Sequence, residues 1–191
     1  MLYDVTHDGF ATLDDFIAYS GGASVAPASI FVHLAGLQER DGIFHDPPFD
    51  VRKTAEPCAM FSYLVHIMRD FRKDQLSNLS YFADDVMERH GLSRSAMNEM
   101  ARGAALTDGF RAMMRRYLTL ADHYRLRTVK IMKEICPVME PRYRLSLEII
   151  FELYMMVFER INPERGTFTA EELNPTPAET RERVRQVILR Q

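Results

Sequence analysis

Residues 66–86 read HIMRDFRKDQLSNLSYFADDV and follow CAMFSYLV (58–65), a segment that is almost wholly apolar. Residues four positions apart share one face of a helix. A polar stripe at this spacing consists of Ser62, His66, Asp70 and Asp74. An apolar stripe beside it consists of Met60, Leu64, Ile67 and Phe71. The segment therefore predicts a helix with one polar face next to one buried face.

The composition of the chain is that of a single folded globular domain. It has 191 residues, of which 47% are hydrophobic and 27% charged. The formal net charge is -3, so the chain lacks the broad basic surface that nucleic acids select. We expect no nucleic-acid partner, and an anionic ligand would have to be held locally.

The expected location is the cytoplasm. The two cysteines, Cys58 and Cys136, fit a reducing compartment. The sequence shows no unbroken apolar run of the roughly 20 residues that a membrane span needs, and residues 1–10 lack a signal-peptide pattern. The basic stretch RLRTVKIMK (125–133) could contact an anionic membrane surface, although the pattern favours a solvated helix face.

Helical periodicity dominates the chain and predicts an all-α fold. The first helix should begin at Thr12, which forms a capping-box pattern with Asp15, and GGAS (21–24) should interrupt or bend the helical track. GIFHDPP (42–48) is predicted to be a loop. Further helices are expected at 54–74, 84–91, 93–103, 107–135 and 141–161. The polar tail at 162–191 should hold a loop and a short helix.

Two carboxylates on one helical face suit Mg²⁺, which prefers oxygen ligands and is often shared between protein carboxylates and phosphates. Asp70 and Asp74 supply such a pair, and Arg69 and Lys73 can meet the phosphate charge. Acidic pairs at this spacing also decorate many solvated helix faces. The spacing alone therefore leaves a metal site and an ordinary surface both open.

Three segments in consistent order resemble the squalene/phytoene synthase family. HIMRDFRKDQ (66–75) followed by NLSYFADDVMERHGLS (78–93) resembles the second aspartate-rich motif of the family and the helix after it. Residues 8–37 resemble its tyrosine-containing helix with a small-residue bend, and LYMMVFERI (153–161) is similar to its late helix. The likeness extends from about residue 4 to residue 161.

The resemblance implies an all-α, isoprenoid-synthase-like bundle around an apolar cavity. The helical domain would span residues 1–161, with residues 162–191 as a C-terminal tail. Members of the family join two prenyl diphosphates with the help of Mg²⁺, so the expected partner is a prenyl diphosphate. NADPH would be used only if the product is squalene.

The resemblance also assigns roles to individual residues. The implied metal ligands are Asp70, Asp74 and His66, the last of which stands where the family usually has Asn. The implied substrate-binding residues are Arg69, Lys73, Tyr63 and Gln75. The implied catalytic tyrosines at the cavity mouth are Tyr81, Tyr19 and Tyr154. Buried tyrosines with satisfied hydroxyls, and a hydrogen-bonded helix histidine, remain the alternatives.

The first aspartate-rich motif of the family would lie upstream of the region that residues 1–10 match. Of the other acidic pairs, Asp14–Asp15 looks like helix-start charges and Asp84–Asp85 looks like a turn or a cap. Two interpretations follow: the C-terminal part of a truncated or split synthase, or a non-catalytic helical interaction or assembly protein that reuses the fold. In either case we expect exposed apolar surface, and with it a homo-oligomer or a complementary N-terminal segment.

Overall fold

The computed structural model describes residues 9–190, and most of them are helical. The helices are α1 (Leu13–Ser20), α2 (Ala26–Gly36), α3 (Val51–Arg69), α4 (Phe71–Leu76), α5 (Asp84–Arg89), α6 (Arg94–Ala101), α7 (Asp108–Ile135), α8 (Pro141–Phe158), α9 (Ala170–Leu173) and α10 (Pro177–Leu189). A 3₁₀ turn, Cys136–Val138, follows α7. The predicted all-α fold is confirmed.

The first helical track begins and bends where the sequence predicts. The Thr12 hydroxyl accepts a bond from the Asp15 N–H (3.1 Å), and the Asp15 carboxylate accepts one from the Thr12 N–H (3.0 Å). A π-helical segment, Gly21–Val25, joins α1 to α2. Within it, the Ser24 hydroxyl donates to the Ala59 carbonyl (3.0 Å). The bend therefore also fastens the track to α3.

A short antiparallel hairpin occupies part of the segment that was predicted to be a loop. It pairs β1 (Gln38–Arg40) with β2 (Ile43–His45). The turn residues Asp41 and Gly42 both have positive φ, 54° and 75°, which is the geometry of a type I′ turn and explains the Asp-Gly pair. The loop prediction was wrong here because strands of three residues are too short to show a period.

The core lies mainly between α3 and α7, whose contact is the most extensive between any two elements of the described residues. The apolar stripe of α3 and α4 is fully buried. Its counterpart on α7 consists of Phe110, Met113, Met114, Tyr117 and Ala121. Because this stripe is buried, the polar stripe beside it is held at the edge of the core.

The C-terminal tail carries more helix than the single short one expected. Helix α10 packs against α8. Arg183 on α10 forms ion pairs with Glu152 (2.8 Å) and Glu159 (2.5 Å) on and just after α8. The family-derived division of the chain after residue 161 stays a prediction.

The outer side of the first helical track is apolar and exposed. Ile30, Phe31 and Leu34 on α2 are 65%, 37% and 57% exposed. Leu13–Gly36 is one helical track of 24 residues, and its length and composition would allow it to cross a membrane. Within its apolar stretch of 18 residues, 17% is buried. The sequence did not indicate an apolar track of this length, because small residues such as those of GGAS (21–24) interrupt its apolar run.

Tyr117 anchors the loop that leads from α4 to α5. The Ala83 N–H donates to the buried Tyr117 hydroxyl (2.9 Å). Tyr117→Phe leaves this buried N–H without its partner and should lower the free energy of unfolding by about 1–3 kcal/mol, measured by urea denaturation. Tyr143→Phe is the control, because the Tyr143 hydroxyl has no hydrogen bond within residues 9–190. Equal losses in both variants would contradict the anchoring role.

Candidate functional site

The predicted helix through the aspartates is two helices that meet at Asp70. Asp70 has φ -91° and ψ 9°, ends α3 and precedes α4, so the single helix expected up to residue 74 is broken there. The hydrogen bonds continue across the break: Asp70 N–H donates to the His66 carbonyl and Asp74 N–H to the Asp70 carbonyl, both at 2.9 Å. Asp70 and Asp74 therefore stay one turn apart.

His66, Arg69 and Asp70 form a closed group of hydrogen-bonding side chains. Arg69 donates twice to the Asp70 carboxylate, from Nε (2.7 Å) and from Nη2 (3.0 Å). Arg69 Nη2 also lies 3.0 Å from His66 Nδ1, which must accept because a guanidinium only donates. His66 Nε2 is 3.2 Å from Asp70 Oδ2. Both ring nitrogens of His66 are thus engaged by its neighbours.

The charges in this group compensate one another. Burial raises the pKa of Asp70, but the hydrogen bonds and charge of Arg69 outweigh burial, and the net pKa is lowered. Burial lowers the pKa of His66, which keeps the ring neutral at pH 7. The hydrogen bond to Asp70 raises the pKa of Arg69. A neutral His66 that accepts from Arg69 and faces Asp70 is placed to orient that pair, and its role as a metal ligand stays a prediction.

Asp74 lacks such compensation. Its Oδ2 is buried and has no hydrogen-bond partner within the described residues. Burial, followed by the negative charge of Asp70, raises the pKa of Asp74 to about 6, although Lys73 and Arg69 oppose the rise. Two carboxylates on one face thus have very different environments, which is a common property of functional sites.

The donor set suits a hard cation, because a buried carboxylate oxygen without a partner is a natural ligand for Mg²⁺. Asp74 supplies that oxygen, and Asp70 supplies a second carboxylate that is held by Arg69. Across residues 9–190, no group of three or more His, Cys, Asp or Glu side chains is arranged to hold a metal ion. The residues therefore fit a cation that obtains its other ligands from a bound anion or water.

Three of the tyrosines that the family resemblance selects lie in one aromatic cluster. Tyr63 stacks on Phe16, with ring centroids 5.5 Å apart and planes 10° apart. Tyr81 meets the edge of Tyr63 at 6.2 Å. Tyr19 contacts Phe10 at 5.1 Å, and Phe10 in turn packs against Phe16. The fold thus brings aromatic residues from α1, α3 and the α4–α5 loop into one cluster.

The model of the squalene/phytoene synthase family matches residues 1–183. The chain belongs to this family. Membership supports a prenyltransferase-type function in general, within a transferase family of isoprenoid biosynthesis that generally uses a divalent metal. No match was found among curated proteins.

The remaining residues that the family resemblance selects differ in their surroundings. Tyr154 on α8 is close enough to Arg69 to contribute to its raised pKa. Lys73 is exposed and acts on both aspartates through its charge. Gln75 is buried instead, where its amide donates to the Leu79 carbonyl (3.3 Å). The contacts of Gln75 are internal, and its substrate-binding role stays a prediction.

The sequence did not indicate the residues that fasten α4 to its neighbouring segments. Arg72 donates to the carbonyls of Ala101 (3.2 Å) and Thr167 (3.0 Å), which ties α4 to α6 and to the segment before α9. Asn98 on α6 donates to the Gln75 carbonyl (2.9 Å). No local pattern marks these residues because their partners lie more than 20 positions away.

The raised pKa of Asp74 predicts a pH-dependent effect of Asp74→Asn. The folded state favours the protonated carboxyl, so the stability linked to this shift is present below pH 3.8 and is lost as the pH rises through about 6. Asn mimics the protonated form. Since part of Asp74 faces solvent, we expect Asp74→Asn to raise the free energy of unfolding by about 1–2 kcal/mol at pH 7.5, with the gain vanishing near pH 4.

Urea denaturation at several pH values measures this difference. Asp14→Asn is the control, because Asp14 is an exposed acid in the first turn of α1. A gain for Asp74→Asn that is independent of pH would show that the carboxylate of Asp74 is not the destabilising group.

Proposed function

We propose that this chain provides the second aspartate face of a prenyltransferase that joins two prenyl diphosphates. Family membership supports the reaction class. The single observation that favours an active site over an ordinary polar surface is Asp74. Its buried Oδ2 has no partner within the described residues, and its charged form is disfavoured by burial and then by the nearby charge of Asp70. A bound cation would relieve both costs.

Asp74 and Asp70 are the residues that would hold Mg²⁺. The metal would neutralise the charge that develops on the diphosphate leaving group. Arg69 donates two hydrogen bonds to Asp70 and none to Asp74. Before ligands bind, the carboxylate of Asp74 is therefore open to the cation, whereas that of Asp70 is paired with Arg69.

In this proposal, Arg69 can pair either with the Asp70 carboxylate or with a bound diphosphate. A guanidinium binds phosphate oxygens in the same two-donor geometry that Arg69 uses for Asp70. A diphosphate that recruits Arg69 releases Asp70 for the cation, with Lys73 as a second positive charge at the exposed edge. We therefore propose that diphosphate and Mg²⁺ bind cooperatively.

The aromatic cluster would shelter the allylic cation that ionisation produces. The faces of tyrosine and phenylalanine attract cations, and they exclude water that would quench one. Within this cluster, Tyr63 lies on α3, which precedes the aspartates in the chain, and Tyr81 lies on the loop after α4, which follows them.

The second candidate function is a non-catalytic interaction or assembly protein. The observation that favours it is the exposed apolar side of α2 at Ile30, Phe31 and Leu34, which suits a homo-oligomer or a complementary helical segment. A cytoplasmic location with peripheral membrane contact is compatible with both candidates.

Binding of Mg²⁺ and inorganic pyrophosphate separates the two candidates in the chain itself. We expect calorimetry to show pyrophosphate binding that strengthens with Mg²⁺, and Asp74→Ala to remove the effect of the metal. Asp14→Ala is the matched control and should bind as the wild type does. Metal-independent binding, or equal losses in both variants, would favour the interaction protein.

Turnover of farnesyl or geranylgeranyl diphosphate tests the reaction. Loss of one preorganised electrostatic contact costs about 3 kcal/mol in the transition state, so Asp74→Ala and Asp70→Ala should lower kcat by about 100-fold or more. Circular dichroism of each variant checks that the fold is intact. Product analysis with and without NADPH shows whether a reduced product forms. Unchanged rates in both variants would refute the assigned roles.

A further inference from the structure

A concave site lies away from the residues of the aspartate site. It is a groove of about 540 Å³ between the start of α1, the end of α5 and the middle of α7. Its volume falls within the range of roughly 300–1,000 Å³ that is typical of small-molecule sites. The residues that matter for its chemistry are Leu13, Leu120, Arg89, His90, Arg116 and His123.

The floor of the groove is apolar. Leu13 and Leu120 are half-buried and pack against the main core. Arg116, Leu120 and His123 recur at intervals of four and three residues, so one face of α7 forms a whole side of the groove. An apolar chain or ring laid along this face would cover both leucines.

The rim of the groove is cationic. None of its lining residues carries a carboxylate, although the chain as a whole has a net charge of -3. Arg89 already forms an ion pair with Asp85 (2.7 Å). Arg116 forms no ion pair within residues 9–190, whereas its neighbour Arg115, outside the groove, pairs with Glu164 (2.6 Å). Arg116 is therefore the guanidinium available to an anion.

We propose that this groove binds an anionic amphiphile, a molecule with a phosphate or carboxylate group on an apolar body. Arg116 holds the anionic group through two parallel N–H donors, and His90 and His123 offer further hydrogen bonds at the rim. Leu13 and Leu120 receive the apolar part. The argument rests on charge complementarity and on the division of the groove into an apolar floor and a cationic rim.

Decyl phosphate tests the site, at concentrations below its micelle threshold and with a chelator that removes divalent metals. Calorimetry should show binding to the wild-type chain and a loss of affinity of about tenfold or more in Arg116→Ala. Arg115→Ala is the matched control, since it removes the adjacent guanidinium outside the groove. Arg69→Ala should leave the affinity unchanged, which separates this groove from the aspartate site.

Three further probes decide the chemistry of the ligand. Decanoate in place of decyl phosphate distinguishes a carboxylate from a phosphate as the preferred anionic group. Inorganic phosphate should bind much more weakly, because it cannot use the apolar floor. Hexaglutamate that binds as tightly as decyl phosphate would indicate an acidic peptide and overturn the proposal. Equal losses in Arg115→Ala and Arg116→Ala, or a loss in Arg69→Ala alone, would also overturn it.

Discussion

The buried contact between α3 and α7 determines which face of α3 and α4 is left to carry Asp70 and Asp74. It removes the apolar stripe of α3 and α4 from water, and each fully buried large side chain contributes about 1.5–3 kcal/mol. Phe71 continues this contact beyond the break at Asp70, where its ring packs against Phe110 at 4.8 Å. With the apolar face fixed in this way, Asp70 and Asp74 are confined to the edge of the core.

The two aspartates show how a short stretch of helix can hold like charges in different states. Arg69 lies next to Asp70 and gives it two hydrogen bonds, which outweigh the effect of burial. Asp74 receives neither bond and has the charge of Asp70 one turn away. Two acids of the C-terminal part are compensated, since Arg183 pairs with both Glu152 and Glu159. Among residues 9–190, Asp74 Oδ2 is the one buried carboxylate oxygen without a hydrogen-bond partner.

The sequence predicts those features of the fold that depend on local chemistry. The capping box at Thr12, the bend at GGAS (21–24) and the buried stripe of α3 follow from residues a few positions apart, and all three are present. The break at Asp70 was not predictable, because the periodicity of the side chains continues across it. The closed group around His66 depends on side-chain rotamers, and the anchors Arg72 and Tyr117 depend on partners distant in the chain.

The exposed side of α2 and the buried carboxylate of Asp74 favour different candidate functions. A helix that is apolar all round is typical of one that is covered on all sides, and an assembly protein would cover Ile30, Phe31 and Leu34 with its partner. Asp74 favours the proposed enzyme. A protein that serves only as a binding surface gains nothing from a buried carboxylate that lowers its stability at neutral pH, whereas a site for a cation and a diphosphate needs that negative charge in place before its ligands arrive.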